Sequence, residues 1–287
     1  MRTQIISLHD DNPAIRLEAY WLHNSPEYQT NQLRPAIIVC PGGGYMGLSD
    51  REAEPIALRF MAHGYHAFIL RYRVQTAFPA PMLDLAQAIA LVRRNAAEWF
   101  IDPNRIVVCG FSAGGHLAAS LGVLWDKPLL TEPLSVDPQQ IRPNALLLCY
   151  AVIEMEALSH QSPPGDEGGQ PVYDPRDAIA LALGGSHPSQ ALRDQYRLDL
   201  HVSPATPPSF LWHTASDQIV PANNALRFAA GLAAHNVPYE IHVFENGVHG
   251  LALADEVTAV PGQPAFINPD NQIWVALALN WLKHHPG

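Results

Sequence analysis

Six short runs of mostly apolar residues recur along this chain, at 36–40, 66–71, 106–109, 145–149, 209–213 and 239–244. A strand buried on one face alternates apolar and polar residues, whereas a continuous run suits a strand covered on both faces. Between the runs lie stretches of helical character at 53–63, 82–99, 113–125, 221–235 and 271–284. In the second of these, Leu85, Ile89, Val92 and Trp99 fall close to helical spacing, and Gly64 is placed to cap the first. Strand and helix alternate over most of the chain, which predicts a doubly wound α/β sheet, mostly parallel, with helices on both faces. Residues 15–22 set Ile15, Leu17 and Ala19 against Arg16 and Glu18, the pattern of a half-buried antiparallel strand. Asp102-Pro103-Asn104-Arg105 predicts a turn before the run at 106.

The 287 residues suffice for a single domain spanning 1–287 with one insertion. That insertion is expected at about 154–208, where Pro163-Pro164-Gly165, Gly168-Gly169, Gly184-Gly185 and Pro204 to Pro208 break the rhythm. It is too long for a simple loop. A cap-like piece over the C-terminal edge of the strands would shape a substrate pocket, because open α/β sheets bind ligands there. The same segment is equally placed to form the interface of a homo-oligomer.

Net charge is −10, which argues against the basic face a nucleic-acid partner needs and against docking on an anionic membrane. No apolar run is long enough to span a bilayer. The start, Met1-Arg2-Thr3-Gln4 through His9-Asp10-Asp11-Asn12, lacks a signal-peptide core, so a cytoplasmic location is expected. The three cysteines, Cys40, Cys109 and Cys149, are odd in number, show no CxxC spacing and each sit in an apolar run. They read as buried free thiols. Neither an H-E-x-x-H helix nor a paired Cys/His set is present, so no metal or other cofactor is expected.

The chemistry concentrates in Gly110-Phe111-Ser112-Ala113-Gly114. This is G-x-S-x-G with a strand running in and a helix running out, the setting in which a serine is exposed on a tight turn as a nucleophile. Pro41-Gly42-Gly43-Gly44-Tyr45 follows the run at 36–40. Its glycines let backbone N–H groups approach a substrate, and Gly43, Gly44 and Ala113 are the predicted oxyanion donors. No G-K-[ST] follows, which argues against a phosphate loop. In this kind of sheet the acid and then the histidine follow the serine. The run at 209–213 leads into Asp217 and the run at 239–244 into His249, both in post-strand loops at the edge that carries Ser112. His249 is the predicted general base and Asp217 the group that orients it. Glu245 and Asp255 are alternative acids outside the expected loop. His116 is read as a packed structural residue and His213 as a support for the acid loop. Asp84 is read as pairing with Arg93 or Arg94.

Taken together, these motifs resemble the α/β-hydrolases of the acetylesterase or acetyl-xylan-esterase type, related to the hormone-sensitive-lipase group. The resemblance runs from about residue 33 to 284. Beyond the loops already quoted it rests on Asp102 to Ile106, on Gly114-Gly115-His116-Leu117-Ala118, on Pro207 to Thr214 with Asp217, and on Gly247 to Leu251. It implies an α/β-hydrolase fold and an acyl-enzyme on Ser112. The implied substrates are small molecules, short acyl esters, commonly acetyl groups on oligosaccharides. Two features depart from the pattern. Pro41 stands where the lipase group has histidine, and the Pro/Gly/acid-rich loop at 160–171 does not match the pattern. Other readings share the Ser–Asp–His order or the scaffold: a prolyl-oligopeptidase-like serine peptidase, or a non-catalytic binding protein.

Overall fold

The continuous apolar runs become the inner strands of one sheet. In the computed structural model of the protein, which describes residues 1–25, 27, 33–155, 180–185 and 188–285, the strands are β1 (Arg2–Ser7), β2 (Arg16–Trp21), β3 (Arg34–Cys40), β4 (His66–Arg71), β5 (Ile101–Phe111), β6 (Ala145–Cys149), β7 (Ser209–Thr214) and β8 (Tyr239–Phe244). Their spatial order is β1-β2-β4-β3-β5-β6-β7-β8. β1, β2 and β4 pair antiparallel, and every pairing from β4 through β3 to β8 is parallel. The sheet is therefore the expected mostly parallel one, an α/β-hydrolase sheet.

Each inner strand feeds two cores, because successive side chains point to opposite faces. Ile38, Val108, Leu146 and Leu211 face the helices Ala80–Arg94, Ala113–Leu124 and Asn223–Ala234. Ile37, Val107, Leu147 and Phe210 face the helices Glu54–Met61 and Trp274–His284. Strand order reverses where β3 lies between β4 and β5, so the loops after β3 and β5 open a crevice at their C-terminal ends.

Several boundaries differ from expectation. β1 has no counterpart in the sequence pattern, because only Ile6 of its six residues is even half-buried; pairing with β2, from Arg2 opposite Trp21 to Ser7 opposite Arg16, makes it a strand. The helix expected at 82–99 spans Ala80–Arg94. It stops where the Asn95 side chain donates to the Leu91 carbonyl at 2.8 Å, and Phe100 then turns through φ 56° into β5. The last helix starts at Trp274 rather than at 271. The expected turn at 102–105 is a bulge within β5, since Arg34 pairs with Ile101 and Ala36 already with Ile106.

Asp84 does not pair with Arg93 or Arg94, which lie more than two turns away along the same helix. It accepts hydrogen bonds from Arg73 and from His9 Nε2 instead. Arg93 donates to the carbonyls of Pro103, Gln140 and Arg142. Of the expected 154–208 insertion, residues 156–179 and 186–187, including the 160–171 loop, lie outside the described residues. Among the described residues no helix is long and apolar enough to cross a membrane.

Candidate active site

The turn between β5 and the helix Ala113–Leu124 is possible only with glycine at its ends. A Cβ on Gly110 would lie 2.2 Å from the Gly114 oxygen, and one on Gly114 would lie 2.1 Å from the Cys40 oxygen. Three backbone segments thus touch at the base of the elbow. Ser112 sits at φ 52°, ψ −118°, a conformation that costs on the order of 1–3 kcal/mol and persists only where the surroundings over-determine it. They do so here: the Ser112 N–H donates to Cys149, and its carbonyl accepts from His116 and Val152.

The two loops after β7 and β8 bring the predicted partners to this serine. Ser112 Oγ lies 2.8 Å from His249 Nε2, and His249 Nδ1 lies 2.7 Å from Asp217 Oδ2. With the Nδ1 proton donated to the carboxylate, Nε2 is left as acceptor for the serine hydroxyl. Asp217 is fixed in turn, because its Oδ1 accepts the N–H groups of Ile219 and Val220, each at 2.9 Å. His213, fully buried, donates Nε2 to the Val220 carbonyl at 2.7 Å and stands 3.4 Å from Asp217 Oδ2. Gly247 ties the two loops: its N–H donates to Ser216 Oγ, and its carbonyl accepts from Thr214 Oγ1 and Ser216 Oγ.

The electrostatics follow from this geometry. Burial would raise the Asp217 pKa, but the facing His249 charge and the hydrogen bonds from His213 and His249 outweigh it and hold the carboxyl well below the usual range. Burial would lower His249; the charge and hydrogen bond of Asp217, with the charge of Glu52, outweigh that and raise it. The imidazolium that forms when a base takes a proton is thus favoured in this position.

Of the glycine loop, Gly42 packs directly on Ser112: a Cβ there would meet Ser112 Cβ at 3.0 Å. Its own N–H is committed to Glu52 Oε2 at 2.8 Å. The N–H groups of Gly43 and Gly44 make no hydrogen bond among the described residues. Ala113, at the first helical position, has no acceptor within its helix. The loop is anchored at its far end by Tyr45, whose hydroxyl donates to His116 Nδ1 at 2.9 Å; His116 Nε2 reaches the Tyr196 carbonyl at 3.2 Å. His116 is fully buried, as read from sequence, and burial lowers its pKa to about 4. Asp255 is turned away, paired with Arg59 and Thr258.

Sequence reasoning missed two buried groups. Glu52 lies in the turn Asp50–Glu52, and Tyr150 follows β6. The Tyr150 hydroxyl donates to Glu52 Oε1 at 2.7 Å, and its ring meets the His249 ring edge-on at 5.1 Å. The available signal was Pro55, which marks a helix start near 54 and leaves Glu52 in the preceding turn. Among the described residues no cluster of three or more His, Cys, Asp or Glu is placed to hold a metal ion.

Comparison with known proteins agrees with this architecture. The family model BD-FAE matches residues 24–232. Endo-1,4-beta-xylanase B of Butyrivibrio fibrisolvens is 31% identical over 241 residues, 82% of this chain and 34% of that protein. The acetylxylan esterase of Xylanibacter ruminicola is 28% identical over 223 residues, 76% of this chain and 41% of that one. The chain thus spans well under half the length of these curated relatives. Among solved structures, a carboxylesterase from Lactobacillus plantarum superposes with TM-score 0.83 at 32% identity, covering 99% of this chain and 98% of that one. An acetyl ester-xyloside bifunctional hydrolase from Caldicellulosiruptor lactoaceticus superposes with TM-score 0.78 at 34% identity, covering 99% and 96%.

Proposed function

The chain belongs to the BD-FAE family and has the α/β-hydrolase fold, and from that premise we propose that it is a serine carboxylic ester hydrolase removing short acyl groups, acetyl above all, from carbohydrate esters. The observation that carries the reading is the hydrogen-bonded line Ser112–His249–Asp217 at the crevice beside the glycine loop.

Ser112 Oγ attacks the acyl carbonyl carbon while its proton passes to His249 Nε2. Asp217 holds the imidazole and faces the positive charge that forms. The carbonyl oxygen becomes an oxyanion held by the N–H groups of Gly43, Gly44 and Ala113. His249 returns the proton to the alcohol oxygen as the acyl C–O bond breaks, leaving an acyl-enzyme. Water then repeats the sequence, giving up its proton to His249, and releases the carboxylic acid and free Ser112.

The sugar-ester preference is supported by two relatives, the acetylxylan esterase and the acetyl ester-xyloside bifunctional hydrolase. Three free, buried cysteines support a reducing compartment, the cytoplasm, where small acetylated oligosaccharides are the suitable substrates. The test is a panel of p-nitrophenyl acetate, butyrate and octanoate with peracetylated xylobiose. Acetate preference with acetate release from the sugar is expected. Octanoate preference with an inert sugar would remove the carbohydrate assignment and keep the esterase.

A further inference from the structure

A second buried carboxylate lies close to the site, beside the loop that carries His249. Glu52 is 3% exposed. Its Oε2 accepts the Gly42 N–H at 2.8 Å, and its Oε1 accepts the Tyr150 hydroxyl at 2.7 Å. The Tyr150 oxygen is already occupied by the Ala252 N–H at 2.9 Å, so its proton points at the glutamate. Both Glu52 oxygens therefore serve as acceptors, which is what the ionised form offers. A buried anion of this kind is expensive unless it is held in place by such donors.

Through these bonds Glu52 links the glycine loop, the segment after β6 and the loop that carries His249. Gly42 opens the oxyanion loop and packs on Ser112. Tyr150 flanks the His249 ring, and Ala252 continues the His249 loop. A Cβ on Gly250, next to His249, would lie 4.0 Å from Glu52 Oε1. The preceding residue strengthens the same junction: Arg51 Nη2 donates to the Gly250 carbonyl at 2.8 Å and Nε to Thr258.

We propose that Glu52 is a positioning residue with two effects: it fixes the oxyanion loop through Gly42, and it stabilises the His249 imidazolium as a second negative charge beside Asp217. The groups facing His249 are Ser112 and Asp217 by hydrogen bond, Tyr150 by its ring edge, Glu52 through Tyr150 and past Gly250, and Arg51 at the Gly250 carbonyl; His213 acts behind Asp217. Of these, Asp217 and Glu52 are the acidic ones. Removing the Glu52 charge lowers the pKa of His249, and with it the basicity available for taking the serine proton.

The assignment rests on the serine-hydrolase reading, and the experiment separates the two. Both kcat and kcat/KM of p-nitrophenyl acetate hydrolysis are measured against pH for wild type, Ser112→Ala, Glu52→Gln and Glu52→Asp, with Tm recorded for each. Gln keeps the shape but offers one acceptor oxygen, so it cannot take both the Gly42 and Tyr150 protons. In Glu52→Gln the acidic limb is expected to move down by about one pH unit, and the plateau of kcat to fall by about tenfold or more. Asp keeps the charge but is one methylene short of Gly42. Its limb is expected to stay at the wild-type position while kcat falls, and this arm still decides the matter should the Gln variant not fold. A folded Glu52→Gln with the wild-type limb, or Glu52→Asp with full activity, overturns the proposal for Glu52 alone. Wild-type rates in Ser112→Ala overturn the hydrolase reading itself.

Discussion

His249 Nδ1 lies 2.7 Å from Asp217 Oδ2, and the other oxygen of the same carboxylate is taken up by two backbone N–H groups. Asp217 is thus rigid, and it fixes which nitrogen of His249 carries the proton. Asp217→Asn keeps the shape but turns its amide or its single oxygen toward the ring. The expected loss is about 10⁴-fold in kcat with KM little changed. Steady-state kinetics on the purified variant checks this, and a loss below tenfold would assign the orienting role elsewhere.

The pH profile follows from the sign of the His249 shift. Asp217 and Glu52 together outweigh burial and raise its pKa above 6.5. The base works only when neutral, so kcat/KM rises with pH through a midpoint above 6.5. A limb centred well below 6.5 in the wild type would contradict the electrostatic picture.

Glycine substitutions separate close backbone approach from open space. Gly114→Ala places a Cβ 2.1 Å from the Cys40 oxygen and 2.4 Å from the Pro41 oxygen, both backbone atoms. A loss of about 3 kcal/mol or more is expected, with a fall in Tm of about 6 °C or more. Gly185→Ala meets nothing within 4 Å and is expected within about 0.5 kcal/mol of wild type. Calorimetry on the pair tests the contrast.

How much of this was legible in the sequence varies with the range of the interaction. Ser112, Asp217 and His249 could be singled out because each follows a strand run, and the parallel sheet brings such loops to one edge. Gly110 and Gly114 were informative because the tight strand-to-helix turn shows in the local sequence. β1 was not legible: its residues are largely exposed, and only the partner strand β2 defines it. Asp84 was paired with the wrong cation because its real partner, Arg73, lies before the helix rather than on it. Glu52 was not singled out, because its meaning comes from Tyr150, 98 residues away.

Stability should fall on mild acidification. Burial lowers both His66 and His116 to about 4 from an ordinary 6.5. Between those values the unfolded chain binds protons that the folded one refuses, so stability drops as pH falls through that window, by up to about 3 kcal/mol per histidine. His249 works in the opposite sense, stabilising below 6.5 and losing that contribution as pH rises through its raised pKa. Asp217, with a depressed pKa, adds its loss only as pH falls below 3.8. Urea unfolding at pH 7.5, 6 and 4.5 should show the decline. His66→Asn, which can still accept the Leu22 N–H, should flatten it. Constant stability across the window in the wild type would contradict the account.

The most direct measurement is the hydrolysis of p-nitrophenyl acetate by wild type and Ser112→Ala at a pH above the His249 midpoint. With Oγ removed, His249 Nε2 has no nucleophile to activate, and kcat is expected to fall by about 10⁵-fold or more. A folded Ser112→Ala within tenfold of wild type would mean that Ser112 is not the nucleophile.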